Sequence, residues 1–165
     1  MRILGIDPGL QKTGWGVIVS EGNSLRYIAS GLIRTNTKES LSRRLAFLHH
    51  GLIAVIDEWQ PEEAAIEETF VNKNPASALK LGQARGVLLA IPSLKGIHVD
   101  EYSANKVKKS VVGSGHAAKE QVGMMIKTLL PACGTLVEDE ADALAVAITH
   151  AHYRSLSNTL AGRQA

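Results

Sequence analysis

Short apolar runs separated by turn-forming residues predict β-strands near the start of the chain. The run "RILGID" is compact and apolar, and "GWGVIVS" and "LRYIASGLIRT" follow it with many β-branched and aromatic residues. The spacer "EGNS" between the last two has the composition of a turn. Further along, "EEAAIEETF" and "GIHVDEYS" have the length and composition of two more strands.

Helical periodicity dominates the segments between and after these runs. From Ser40 to Trp59, apolar residues recur every three or four positions with charged residues between them, which predicts an amphipathic helix that ends before Pro61. Asn74 and Pro75 open a second helix, "NPASALKLGQARGVLLAI". Two more helical segments, "SANKVKKSVVG" and "AAKEQVGMMIKTLLP", flank the flexible "GSGH". The last helix, "DEADALAVAITHAHYR", is apolar on nearly every side and is predicted to be buried.

This order of elements predicts an α/β fold in which one mixed sheet is covered by helices on both faces. A chain of 165 residues that is 45% hydrophobic has the size of one ordinary domain and enough apolar material for its core. We therefore expect a single domain over residues 1–154 and a disordered C-terminal tail over residues 155–165.

The composition argues against export and against a membrane protein. No apolar run approaches the 18 or so residues of a membrane span, and "MRILGID" at the N-terminus does not have the regions of a signal peptide. The single cysteine, Cys133, has no partner for a disulfide or a zinc site, which fits a reducing cytoplasm. The six histidines show no ligand spacing, and we expect all of them to be surface or helix-end residues.

The charges are divided unevenly along the chain. Residues 72–127 contain nine Lys and Arg and three acids, a net charge of +6, whereas the rest of the chain carries −4. Such asymmetry favours a middle segment that faces a polyanion, although charges scattered over solvated faces would also produce it.

Carboxylates stand at the ends of two predicted strands. Asp7 ends the first apolar run, where open α/β sheets place their ligands, and an unpaired buried carboxylate there would be costly. Glu67 and Glu68 end a later strand; because strand side chains alternate, only one of these two can join Asp7, and the pattern leaves open which. A turn or a phosphate-binding loop would also explain Asp7 by itself.

A third group of acids opens the last helix. Asp139 and Asp142 share one face of that helix, as do Glu138 and Asp142. Acids are favoured at helix N-termini by the helix dipole, but Asp142 already lies against the apolar stretch and needs a partner. If Asp7, Glu67, Asp139 and Asp142 meet, two divalent cations would neutralise them, and such a pair of ions is the usual clamp for hydrolysis of a phosphodiester.

Four blocks of the sequence resemble a known family. "GIDPGLQKTGWGVI", "AIEETFVNKNPASALKLGQARGV", "VKKSVVGSGHAAKEQV" and "DEADALAVAITHAH" are similar, in order and spacing, to the bacterial RuvC family of Holliday junction resolvases. The resemblance implies an RNase H-like fold with three antiparallel strands followed by parallel strands. It also implies a homodimer that uses Mg²⁺ or Mn²⁺ to make paired nicks in opposing strands of a four-way DNA junction. The function would belong to recombination and DNA repair, alongside a branch-migration helicase.

The same resemblance assigns roles to individual residues. The catalytic and metal-binding acids fall on Asp7, Glu67, Asp139 and Asp142, which selects Glu67 over Glu68 and Asp139 over Glu138. Phe70 would stack on an unpaired base at the junction centre. The predicted DNA-binding side chains, including the lysines that flank "VVGSGHAA", are those of Phe70, Lys73, Lys80, Arg85, Lys108 and Lys119. Glu140 departs from the pattern by adding a charge between the two aspartates.

Three other functions fit part of the pattern. An actin-like or sugar-kinase-like ATPase needs a second lobe, for which 165 residues leave no room. A non-catalytic module that binds junctions or RNA would gain nothing from acids beside its ligand. An RNase H-like nuclease acting on RNA remains compatible with the metal chemistry. Gly14 and Gly16 are interpreted as thinning the second strand, either for close backbone packing or for the approach of DNA.

Overall fold

The protein is built on one five-stranded mixed sheet, described by a computed structural model that covers residues 1–68 and 74–161, with side chains through residue 154. The strands are β1 Arg2–Asp7, β2 Lys12–Glu21, β3 Ser24–Arg34, β4 Glu63–Glu67 and β5 His98–Tyr102. Their order in the sheet is β3-β2-β1-β4-β5. The first three strands are antiparallel, and β4 and β5 run parallel to β1. The predicted mixed sheet is confirmed.

Five α-helices complete the described part of the fold. They are α1 Leu41–Trp59, α2 Pro75–Leu94, α3 Ala104–Val112, α4 Lys119–Leu129 and α5 Glu138–Ala161. Local sequence explains several of their starts, because the side chains of Ser40, Asn74 and Ser103 accept hydrogen bonds from backbone N–H groups in the first turns of α1, α2 and α3. No helix within the described residues is both long and apolar enough to cross a lipid bilayer.

The helices cover both faces of the sheet, as predicted. Leu4 and Ile6 point to one face, where they pack against α1 and α2 through residues such as Leu52. Ile3 points to the other face and packs in the cluster formed by α3, α4 and α5. Because neighbouring residues of a strand point to opposite faces, the continuous apolar run of β1 supplies both core layers.

Glycines let α5 lie directly on the sheet. A Cβ atom added to Gly5 would be 2.0 Å from the carbonyl oxygen of Ala143, and one added to Gly16 would be 2.6 Å from a methyl carbon of Leu144. Real Cβ atoms do not approach other atoms so closely, so only glycine fits at these two positions. Gly16 therefore serves close packing, which is the first of its two predicted uses.

Three expectations from the sequence need correction. The backbone of α5 continues to Ala161, beyond the predicted end of this helix at Arg154; no glycine or proline interrupts the segment before Gly162. Helix α2 continues through Pro92 to Leu94; the proline removes one backbone hydrogen bond near the end of the helix, and the buried side chains of Leu88 and Ile91 hold this part of α2 against the core. His150 is only 2% exposed and lies in the core, unlike the surface histidine predicted there.

Candidate active site

The first two predicted acids lie at the same edge of the sheet. Asp7 is the last residue of β1 and Glu67 is the last residue of β4. The two strands are parallel neighbours, with Ile6 opposite Ile66, so the next residue of each strand is the carboxylate. The pairing register therefore places both acids side by side at the carboxyl ends of adjacent strands.

The start of α5 lies over this edge. Gly14 is opposite Asp7 in the β1–β2 pairing. A Cβ atom added to Gly14 would be 2.0 Å from the carbonyl oxygen of Asp139, and 3.1 Å from the Asp139 Cβ atom. The absence of a side chain at Gly14 thus allows the first turn of α5 to approach Asp7, and close packing is also the use of this glycine.

The carboxylates act on one another electrostatically. Burial raises the pKa of Asp7 to about 8, with further contributions from Glu67, Asp142 and Asp139 in that order. Burial also raises the pKa of Glu67 to about 7, and the charge of Asp142 adds to the effect. The pKa of Asp142 is raised too, mainly by burial. Both effects disfavour the charged form of a carboxylate, so the structure brings the four predicted acids into one electrostatic cluster.

The neighbouring acids are directed elsewhere. Glu68 is exposed, and its backbone N–H donates to the carbonyl of Tyr102 at 2.9 Å. Glu140 accepts from the hydroxyl of Ser30 at 3.3 Å and from the backbone N–H of Val137 at 3.0 Å, which caps the start of α5. The extra charge of Glu140 is therefore used in local structure, on a side of the helix that does not act on Asp7.

Two of the predicted lysines stand beside the cluster. Lys108 and Lys119 line a cavity of about 210 Å³ together with Glu67 and Asp142. The charge of Lys119 lowers the pKa of Asp7, Glu67 and Asp142, which partly offsets the effect of burial. Lys108 acts in the same direction on Glu67 and Asp142. These lysines provide positive charge where a phosphate group would approach the acids.

The remaining residues predicted to bind DNA differ in their exposure and in their contacts. Lys80 is exposed on α2. The guanidinium of Arg85 is paired with Glu101 and donates to the carbonyl oxygen of Glu67 at 3.0 Å, so this side chain supports the end of β4. Phe70 and Lys73 lie outside the described residues, and their predicted roles stay predictions.

One lysine near the site was missed by the sequence analysis. Lys12, at the start of β2, lowers the pKa of Glu138 and so lies within electrostatic reach of the first turn of α5. Lys12 lies outside the basic segment of residues 72–127. The position of Lys12 at the start of β2, shortly after Asp7 in the sequence, was the signal that could have identified it.

The donor set of the cluster suits a hard divalent cation. All four acids offer carboxylate oxygens, the ligand type that Mg²⁺ and Mn²⁺ prefer. Within the described residues, no group of three or more Asp, Glu, His or Cys side chains forms a ready-made metal cage. Mg²⁺ commonly binds through one or two carboxylates together with water and substrate phosphates, so an open arrangement of acids is compatible with it.

The chain is similar to proteins of known name along nearly its whole length. A family model described as Crossover junction endodeoxyribonuclease RuvC matches residues 3–150. The RuvC protein of Paramagnetospirillum magneticum is 60% identical over 161 residues, which cover 98% of this chain and 97% of that protein.

Solved structures agree with the sequence matches. The Thermus thermophilus RuvC bound to a Holliday junction substrate has a TM-score of 0.89 at 33% identity, and the match covers 95% of this chain and 96% of that one. The yeast mitochondrial Holliday junction resolvase is 14% identical with a TM-score of 0.66, a likeness of fold alone. The matched range of the family model contains all four acids of the cluster. The chain belongs to the RuvC family of crossover junction endodeoxyribonucleases.

Proposed function

We propose that this protein resolves four-way DNA junctions by hydrolysing one phosphodiester in each of two opposing strands. The observation that carries the proposal is the convergence of Asp7, Glu67 and Asp142 in one cluster with Lys108 and Lys119 at its side. The family to which the chain belongs is named for this reaction, and its Thermus thermophilus member has been solved with a Holliday junction.

The acids are the side chains that would hold the metal ions. Asp7 and Glu67 project from the ends of two adjacent strands, and together with Asp139 and Asp142 on α5 they would hold the ions. Two Mg²⁺ ions, for which Mn²⁺ can substitute, would neutralise these acids and activate the phosphodiester and the attacking water. The raised pKa values of Asp7 and Glu67 support this assignment, because carboxylates that are buried beside one another are poorly stabilised in the charged form unless a cation neutralises them.

The chain's own contribution to the reaction is position and countercharge. Asp7 and Glu67 are held at the ends of strands whose neighbouring residues are buried. Their positions are therefore fixed before DNA binds, and binding does not have to supply the entropy of ordering them. Lys108 and Lys119 bind non-bridging phosphate oxygens beside the scissile bond and stabilise the charge that develops there. A module that only bound DNA would gain nothing from acids at this place, since they repel the phosphate backbone.

The paired cuts require two active sites, which we propose a homodimer supplies. A two-fold dimer matches the symmetry of a four-way junction and presents one site to each opposed strand. Helix α2 offers a surface for such contact, because Leu79 is 66% exposed there. A Cβ atom added to Gly82 or Gly86 on the same helix would meet nothing within 4 Å. We further propose a cytoplasmic location and association with a branch-migration helicase, both on the ground of family membership.

The function is tested with a synthetic four-way junction, a linear duplex of matched sequence and a matched RNA duplex. Each is incubated with the purified protein in Mg²⁺ and, separately, in chelator, and the ends of the products are mapped on all strands. We expect metal-dependent, paired and symmetric cuts in the junction alone. Equal cleavage of the linear duplex or of RNA would favour a general RNase H-like nuclease, and junction binding without cleavage would favour a non-catalytic module.

A further inference from the structure

Among the described residues, the direct ionic contact of Lys119 is with an acid that is not part of the catalytic cluster. Its ammonium donates a hydrogen bond to a carboxylate oxygen of Glu138. Lys119 is the first residue of α4, and Glu138 is the first residue of α5. The contact therefore joins the starts of two helices directly beside the cluster, and both side chains are about two-thirds exposed.

The position of Lys119 makes this contact relevant to DNA binding. Lys119 lies between two cavities that both reach Asp142. One has a volume of about 210 Å³ and also contains Glu67 and Lys108. The other has a volume of about 400 Å³ and also contains Glu138. The ammonium of Lys119 can thus turn towards the cluster, where a phosphate would bind, or towards Glu138, where the structure has it.

Glu138 also lies within reach of a second cation. Lys12 at the start of β2 acts on its carboxylate, although more weakly than Lys119 does. An anionic oxygen group placed near two lysines at the edge of a nuclease site occupies the kind of environment that a backbone phosphate would occupy. Glu138 therefore differs from Glu140, whose carboxylate caps the helix, and from Glu120, for which the described part of the chain shows no ion pair.

We infer that Glu138 is an internal substitute for a DNA phosphate. In the DNA-free protein it holds Lys119 at the mouth of the cluster, and on binding a backbone phosphate replaces it on that lysine. The inference rests on the proposed function, because it assumes that DNA phosphate approaches Lys119. It assigns to Glu138 the role of a positioning residue that opposes DNA binding and takes no part in the hydrolytic step.

The exchange has a measurable cost. An exposed ion pair contributes little free energy, and breaking one changes an equilibrium constant by about two- to fivefold. Glu138→Gln should therefore tighten DNA binding by about two- to fivefold. It should also make the salt dependence of binding steeper, because in the wild type salt also weakens the competing Glu138–Lys119 pair and so offsets part of the loss of DNA affinity.

The experiment measures the affinity of a four-way junction for the full-length protein in chelator, over a series of salt concentrations. Glu138→Gln is compared with Glu120→Gln, which removes the same charge one residue from Lys119 without breaking the pair. Both changes are then repeated in a Lys119→Ala background. Turnover in Mg²⁺ separates kcat from KM, and a melting temperature for each variant verifies that it is folded.

We expect Glu138→Gln to tighten binding more than Glu120→Gln, to lower KM and to leave kcat unchanged. In the Lys119→Ala background the two changes should have equal effects. Equal effects in the wild-type background would overturn the inference, as would loss of kcat in Glu138→Gln, which would make Glu138 a metal ligand or catalytic residue. Failure of the unmodified protein to bind or cut the junction would instead refute the proposed function.

Discussion

Gly14 lies against the main chain of Asp139, so closely that a Cβ atom at Gly14 would be 2.0 Å from the Asp139 carbonyl oxygen. Gly14 is also the residue opposite Asp7 in the sheet. A single glycine thus fixes the distance between the two elements that carry Asp7 and Asp139. The geometry of the acid cluster depends on this backbone contact as much as on the acids themselves.

Gly14→Ala tests the importance of that contact. The added methyl group must push the first turn of α5 away from β1 and β2, because the atom it meets belongs to the backbone and cannot rotate aside. We expect a loss of about 1–3 kcal/mol in the free energy of unfolding. Cleavage of the junction should fall by about a hundredfold, the penalty expected for a displacement of about 1 Å in an active site. Denaturant unfolding and single-turnover cleavage measure the two effects.

Gly123→Ala is the matched control for this substitution. Gly123 lies within α4, and a Cβ atom there would meet nothing within 4 Å. Replacing a glycine in the middle of a helix with alanine should stabilise the fold by about 0.5–1 kcal/mol and leave cleavage unchanged. If Gly14→Ala cleaved the junction as fast as this control, the proposed role of the Gly14–Asp139 contact would be wrong.

The charge cluster should make the metal-free protein less stable as pH rises. The pKa of Asp7 is raised from 3.8 to about 8 and that of Glu67 from 4.5 to about 7. At pH values between the ordinary and the raised pKa of each group, the folded state binds more protons than the unfolded state. The free energy of unfolding therefore decreases as pH increases in this range. We expect the melting temperature in chelator to fall from pH 5 to pH 8.5, and Mg²⁺ to restore part of it at the upper end.

Asp7→Asn isolates the contribution of one acid to the dependence of the melting temperature on pH. The amide has no charge to lose or gain, so the variant should melt at a higher temperature than the wild type at pH 8 in chelator, and its profile should be flatter. Scanning calorimetry at matched pH values gives the comparison. Coincident profiles for the two proteins would contradict the raised pKa of Asp7.

Lys108→Ala should impair cleavage because Lys108 lies in the cavity that contains Glu67 and Asp142. Removing a cation that stabilises developing charge commonly costs about a hundredfold in rate, and we expect a fall of that order. Lys109→Ala is the control: Lys109 follows on the same helix, is exposed, and lines none of the described cavities that contain the acids. Equal losses in the two variants would show a general effect of charge on DNA binding.

We expect His150 to contribute to stability and not to catalysis, because its contacts within the described residues do not include the acids of the Asp7 cluster. Its Nε2 pairs with Glu63 at 2.7 Å and its Nδ1 pairs with the hydroxyl of Tyr102 at 3.1 Å. The same Nδ1 atom is also 3.4 Å from a carboxylate oxygen of Asp100. His150→Ala should cost about 1–3 kcal/mol by leaving these groups unpaired. His98→Ala, at a 68% exposed side chain, should change stability by less than about 0.5 kcal/mol in the same unfolding experiment.

The sequence alone predicts features that follow a regular repeat and residues that stand at the end of a strand or helix. The alternation of strands and the periodicity of α1 predicted the architecture, and Asp7 and Glu67 could be placed because each ends an apolar strand. The partner of a residue distant in sequence could not be predicted in the same way. Nothing in the local pattern of His150 shows that Glu63 faces it across the fold, nor that the backbone of Asp139 lies on Gly14.

The same limit applies to the acids at the start of α5. Spacing alone placed Glu138 and Asp139 equally well, since each shares a helical face with Asp142. Their different environments arise from tertiary contacts. Glu138 forms an ion pair with Lys119 on α4, whereas the backbone of Asp139 packs against Gly14 on β2. The extent of α5 was also underestimated, because a helix without breakers continues past the last residue that needs to be buried.

Asp7→Asn on a synthetic four-way junction tests directly whether the acid cluster is the hydrolytic site of a junction resolvase. Binding is measured in chelator and cleavage in Mg²⁺, with the same junction and both proteins. We expect the variant to lose paired cleavage completely and to bind the junction as tightly as the wild type or more tightly, because the amide removes whatever negative charge Asp7 carries beside the DNA at the pH of the assay. Cleavage by Asp7→Asn at the wild-type rate would show that Asp7 is not needed for hydrolysis and that the acid cluster is not the hydrolytic site.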